Sequence, residues 1–178
     1  MNVPRKISRA RLTVLGVEVP GMSRELATNV EIDAPPERVW EVLVDFDHYA
    51  EWNPFMRVAG RPNEGATLTV HVLPPGGRET VFEPDVTNCE KHRELRWLGH
   101  LVVPGLFDGE HRFRLEPLDG GDRTRFVHAE SFSGVLATPY LWLRGDQLRS
   151  GFESMNEALK TRAEGLVAAG ERHPSESA

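Results

Sequence analysis

Apolar and polar residues alternate over Ser23–Asp33, where Leu26, Thr28, Val30 and Ile32 interleave with Glu25, Ala27, Asn29 and Glu31. Period two predicts a strand. In DAPPERVWEVLVD the spacing lengthens: Val39, Trp40, Leu43 and Val44 form one stripe, with Pro35 and Pro36 suited to a helix's first turn. A helix is expected over about Pro35–Val44. A second short helix, about Phe46–Trp52, should close at Asn53-Pro54, because a residue before proline avoids helical angles.

From Pro54 to Gly134 the pattern returns to strands. They are expected at about Phe55–Arg61, Ala66–Leu73, Glu79–Glu90, Glu94–Leu101, Gly109–Pro117 and Arg123–Ser133. Turn signals at PPGG and LDGGDR separate them. In the last strand Thr124, Phe126, His128, Glu130 and Phe132 share a face, opposite Arg123, Arg125, Val127, Ala129 and Ser131. Then Leu141, Leu148, Phe152, Met155, Leu159, Ala163 and Leu166 recur at helical spacings. Thr138 is the expected N-cap and Pro139 the first helical residue of a helix reaching about Ala168. Gly145, Gly151 and Gly165 weaken that helix and allow close packing or a bend.

The order of elements gives an α+β class: a curved antiparallel sheet of about seven strands wrapped around a long C-terminal helix, with two short helices after the first strand. A twisted sheet of that size has a concave face, and the long helix is the element available to cover it. The natural site is a cavity between them. Residues 23–168 are read as this domain, 1–22 as an N-terminal extension or arm and 169–178 as a disordered tail. LTVLGVEV could add a strand, and the basic cluster Arg5, Lys6, Arg9 and Arg11 reads as a solvated tail.

Composition narrows the function. At 178 residues the chain suits one domain. A net charge of −6 argues against nucleic acid as the main partner, since phosphate binding needs a basic footprint. No apolar run reaches spanning or signal-peptide length, so stable membrane insertion is not expected and the cytoplasm is the default compartment. The single cysteine, Cys89, excludes an internal disulfide framework and reads as packing. No P-loop, dinucleotide fingerprint, G-x-S-x-G elbow or H-E-x-x-H occurs, and no cofactor is expected. DGGDRTRFVHAE lacks the oxygen ligands and the glycine of a calcium loop.

The stretches IDAPPERVWEVLVDFDHYAEWNPF, RELRWLGHL, PGLFDGEHRFRLEPLDGGDRTRFVHAESFSG and GFESMNEALKTRAE resemble the START-related helix-grip superfamily called SRPBCC. The nearest-looking branch is the bacterial one of polyketide cyclase/dehydrase-like and carbon-monoxide-dehydrogenase-associated proteins. The resemblance covers about Ser23–Gly165. It implies a hydrophobic cavity for lipids, polyketides or other apolar small molecules. It does not imply one activity, because members include aromatase/cyclases, carriers and receptors. No cyclase-specific active-site motif carries over.

His111, His128 and Glu130 are the polar residues to explain, because their parity puts them on the apolar faces of hairpin strands. Such groups must be hydrogen-bonded, solvated or meeting a ligand. A His–Glu pair can act as general base and orienter. A satisfied structural network lining a wet cavity is the plainer reading. Two histidines and a glutamate lack a local metal signature, so no metal is expected. Leu148, Phe152, Met155 and Leu159 are the expected apolar ceiling of the site, and Trp97, Phe113, Phe126 and Phe132 its floor, with His128 among them. Trp40 should pack behind the short helices, and Trp52 and Phe55 could stand at the mouth. Binding or carriage of an apolar or amphipathic small molecule is the first reading. A cyclase, dehydratase or aromatase using His128 and Glu130 is the second. A module acting on a partner protein is the third.

Overall fold

The computed structural model describes residues 23–100 and 105–171, plus two short upstream strands, β1 (Thr13–Val14) and β2 (Val17–Glu18). These two pair with each other antiparallel, in a two-strand ladder separate from the other described sheets. The basic cluster Arg5–Arg11 and residues 172–178 lie outside the described residues.

The alternating segment forms β3 (Arg24–Ile32). Helix α1 follows over Pro36–Val44, with Val39 and Leu43 fully buried and Trp40 against the His92 ring. The next expected helix is two pieces, a 3-10 turn at Phe46–His48 and α2 (Tyr49–Trp52). Asn53 then turns the chain. Its Oδ1 accepts from the Phe55 and Met56 amides at 2.9 and 3.0 Å, which launches β4 (Met56–Ala59) and drives Phe55 into the core.

Strands β5 (Thr69–Val72), β6 (Thr80–Phe82), β7 (Asp85–Glu90), β8 (Glu94–His100), β9 (Asp108–Leu118) and β10 (Arg123–Ser133) complete the sheet. Ladder pairing gives the orders β3-β10-β9-β8-β7 and β4-β5-β6, all antiparallel. The two ladders join. Val70 lies opposite Phe82, and Thr67 lies opposite Asp85 in the same register. Backbone bonds Leu68 N to Pro84 O and Val86 N to Ala66 O carry the pairing across the gap. The segment expected as one strand, Glu79–Glu90, is thus β6 and β7 divided at Glu83-Pro84, where proline has no N–H to donate.

The long helix α3 runs Ala137–Glu171. At 1.5 Å per residue that is about 52 Å. It begins before the expected cap: Thr138 sits inside the first turn, where its Oγ1 accepts from Arg24 Nε at 3.3 Å, and Pro139 follows. Leu148, Phe152, Met155, Leu159 and Ala163 form its buried stripe against the sheet and α1, whereas Leu166 is exposed. Gly151 allows the closest approach, since a Cβ there would stand 2.3 Å from the Phe55 ring. Gly145 and Gly165 face open space. The parity expected for β10 holds: Phe126, His128 and Phe132 are buried, while Arg123 and Arg125 are about two-fifths exposed and pair with Glu31.

Candidate functional site

Cross-strand register sorts the concave face into rows. In one row Trp97, His111, Glu130 and Leu26 stand opposite each other across β8, β9, β10 and β3. Two residues further along, the next row is Leu95, Phe113, His128 and Thr28. Cross-strand neighbours in a row are within side-chain contact distance, and so are diagonal ones when the side chains are long.

The first row borders a cavity between the sheet and α3. Its walls are Trp97, His111, Glu130 and Phe132 from the sheet's centre, and Phe55, Met56, Val70, Val72 and Phe82 from the β4-β5-β6 side. Phe107, Tyr140 and Leu148 close it on the helix side. Its volume is about 70 Å³. That is small beside the roughly 300–1,000 Å³ typical of small-molecule sites, so a full-sized guest needs the walls to give. Gly99 and Gly109 face each other at its edge, and Glu130 fills the space a side chain at Gly109 would occupy, with Oε1 2.6 Å from that Cβ position.

The sequence-predicted site residues therefore divide. Trp97, Phe132 and Leu148 line the cavity, together with His111 and Glu130. Phe113, Phe126, His128, Phe152, Met155 and Leu159 do not border it and are fully buried. The reason is packing: the Phe152 ring lies flat on the His128 ring, with centroids 3.8 Å apart and planes 9° apart, and meets Phe55 edge-on at 5.6 Å. Of the aromatic pair placed at the mouth, Phe55 lines the cavity, whereas Trp52 packs on Tyr49. The apolar residues of β4, β5 and β6 were missed because alternation marks a buried face without saying which part of it is empty.

A polar chain runs from the cavity into the core. His111 Nδ1 lies 3.5 Å from Glu130 Oε2. His111 Nε2 is 2.7 Å from His128 Nε2. His128 Nδ1 is 3.0 Å from Asn156 Oδ1, and Asn156 Nδ2 donates to Thr28 Oγ1 at 2.9 Å. Burial holds the His128 imidazole well below the usual histidine range; the adjacent His111 adds to this, and the Asn156 bond opposes it. Asn156 has a sequence signal that alternation alone does not weigh: it is four residues from Phe152 and three from Leu159, a polar residue on the apolar stripe.

At the cavity's edge His100 Nδ1 pairs with Asp108 Oδ1 at 2.7 Å, and Asp108 also accepts from the Gly105 amide. Burial raises the Tyr140 hydroxyl, with Glu130 adding to it. Burial also raises the Cys89 thiol, and it packs against the core as expected. Among the described residues no three His, Cys, Asp or Glu side chains gather as metal ligands.

A long helix gripped by a curved antiparallel sheet, with a cavity between them, defines the helix-grip class. The family model "Polyketide cyclase / dehydrase and lipid transport" matches residues 23–170, and the chain belongs to that family. Among solved structures, the Zhui aromatase/cyclase from Streptomyces sp. R1128 is similar at 20% identity and a TM-score of 0.66, covering 83% of this chain and 98% of that one. A START superfamily protein from Mycobacterium smegmatis is 25% identical, with a TM-score of 0.59, covering 80% and 98%. A protein from Thermus thermophilus is 18% identical with a TM-score of 0.63, covering 82% and 99%. No curated protein matches the chain.

Proposed function

We propose that the protein binds or carries a hydrophobic or amphipathic small molecule, lipid- or polyketide-like, in the cavity between the sheet and α3. The observation that carries this reading is the cavity itself: an apolar wall of Phe55, Val70, Val72, Phe82 and Phe132, interrupted by a few polar groups, His111, Glu130, His100 and Tyr140. Ligand sites have this composition, mostly apolar with a few placed polar groups. The family supports it, since its description joins cyclase, dehydrase and lipid transport. No helix among the described residues is long and apolar enough to cross a membrane. A cytoplasmic location belongs to the proposal.

The test is a titration with the neutral fluorescent probe N-phenyl-1-naphthylamine. Wild type should bind it saturably. Leu148→Trp fills the cavity from the helix side and should abolish binding while leaving the fold intact. Absence of saturable binding by wild type would remove this reading. Native mass spectrometry of protein from its own host should then show the natural ligand as an added mass.

A second reading is a cyclase- or dehydratase-type enzyme. What favours it is the placement of His111 beside Glu130 on the cavity wall, a general base with a carboxylate neighbour. His128, the histidine first paired with Glu130, lies one row deeper and reaches the cavity only through His111. Turnover of a polyketide-type substrate, lost in His111→Gln, would support it.

A further inference from the structure

Helix α3 is apolar on two sides at its start. Its inner side supplies Tyr140 and Leu148 to the cavity. On its outer side Pro139 is exposed, Leu143 is 70% exposed and Trp142 is 89% exposed. Pro139 lies three and four residues before these two, so the three share one face. Val135, 73% exposed, and Leu136, in the turn just before the helix, continue that row at the same spacing. A surface helix normally carries polar residues opposite its buried stripe. Further along α3 does so, with Ser150, Glu153, Ser154 and Glu157 facing out.

The charge at this end also differs from that of the chain. The whole sequence has 21 basic and 27 acidic residues, a net −6. Residues 131–151 hold Arg144 and Arg149 and a single acid, Asp146, which ends the apolar row. Arg24 joins them, its Nε 3.3 Å from Thr138 Oγ1 in the first turn of α3. These three arginines donate to neutral oxygens: Thr138 Oγ1, Gln147 Oε1 and the Ala27 carbonyl. None of them pairs with a carboxylate among the described residues, whereas Arg96, Arg112, Arg123 and Arg125 on the sheet all do. Three unpaired cations against one acid leave this end positive.

An outward row of Trp, Leu and Val beside unpaired arginines fits the boundary of an anionic bilayer. The indole sits at headgroup depth, the aliphatic side chains reach the acyl chains, and the guanidiniums meet phosphate. A second copy of the chain fits less well, since a two-fold contact through this row sets the three arginines against their own equivalents.

We propose that the first turns of α3 dock the protein reversibly on an anionic lipid surface. The docking stands on the outer face alone. Because the inner face of the same turns lines the cavity, docking also brings the cavity to a lipid-borne guest, a consequence that rests on the small-molecule reading above.

The test uses the full chain and vesicles of phosphatidylcholine with about one-third phosphatidylglycerol. Arg5, Lys6, Arg9 and Arg11 also attract anionic lipid, so the decisive readout is Trp142 itself. Trp40 and Trp97 are buried and Trp52 packs on Tyr49, so a blue shift of tryptophan emission, and its quenching by brominated acyl chains, report Trp142. Trp142→Ala should abolish both changes and weaken cosedimentation about tenfold. Arg144→Gln should weaken it about fivefold. Both variants should melt with the wild type, as exposed substitutions do. Emission unchanged by the vesicles, or cosedimentation unaffected by Trp142→Ala, overturns the docking. So does a lipid-free dimer, seen by sedimentation velocity, that Trp142→Ala dissolves. N-phenyl-1-naphthylamine titrated without vesicles keeps the two readings apart. Trp142 does not border the cavity, so Trp142→Ala should bind the probe like wild type. Probe binding with no vesicle response removes the docking and leaves the cavity reading; a vesicle response with no probe binding does the reverse.

Discussion

The Phe55 ring occupies the place a side chain at position 151 would take: a Cβ built on Gly151 falls 2.3 Å from its Cδ2 and Cε2 atoms. Gly151→Ala should therefore destabilise the protein although alanine favours helix. The overpacking costs about 1–3 kcal/mol against a propensity gain of about 1 kcal/mol. Gly165→Ala meets open space and should stabilise by about 0.5–1 kcal/mol. Paired melting curves decide it, since each kcal/mol moves Tm by about 2–4 °C in a domain of this size. A Gly151→Ala protein melting with the wild type would refute the close contact.

The helix residues Met155 and Leu148 should respond in opposite ways to enlargement. Met155 is fully buried and does not border the cavity, whereas Leu148 does. Met155→Trp should lose about 1–3 kcal/mol by overpacking. Leu148→Trp has empty space to enter and should keep its melting point within about 2 °C. Urea titrations of both check the contrast. Equal losses would mean that the cavity is absent in solution.

Acid should destabilise the fold through His128. Its folded-state pKa lies well below the unfolded value of about 6.5, so between the two the unfolded chain binds the extra proton. Stability then rises with pH in that window. The His128 contribution is complete above about pH 6.5 and declines as pH falls below it, by up to 1.36 kcal/mol per unit where the full proton difference applies. His128→Gln removes this titration. Chemical denaturation from pH 7.5 down to pH 5 should give a shallower pH slope for the variant than for wild type; parallel slopes would show that His128 is not the buried base described.

Thr28 and Asn156 should behave as one unit. Thr28→Val strands the buried Asn156 amide hydrogen, which costs about 1–3 kcal/mol. Asn156→Leu removes that amide together with the acceptor for His128 Nδ1. The double variant should lose less than the sum of the singles, because both remove the same bond. Strict additivity, measured by urea unfolding, would argue that the 2.9 Å contact contributes nothing.

Much of the fold was readable because it follows from periodicity. The alternation in Arg123–Ser133 specified which side chains face inward, and β10 has those bounds and that parity. The division at Pro84 was missed because strand propensity continues on both sides of it, although proline's missing donor is a local signal. The site was only partly legible. Parity placed Phe113, Phe126, His128, Trp97, His111 and Glu130 on one face, but it carries no information about depth along that face. What separates the cavity row from the packed row is where Phe152 lies against His128, a contact between residues 24 positions apart.

That separation by a single pleat has a consequence for how such a protein diversifies. Trp97, His111 and Glu130 form one transverse line of the sheet, and Leu95, Phe113 and His128 the next. Substitutions at Trp97 or Glu130 alter what a guest meets and leave the stack of Phe152 on His128 in place. Substitutions in the second loosen that seam before any guest is involved. A lineage can thus exchange its chemical repertoire one line at a time while inheriting the same keel, so descendants of one ancestor would be expected to agree along the second line and disagree along the first.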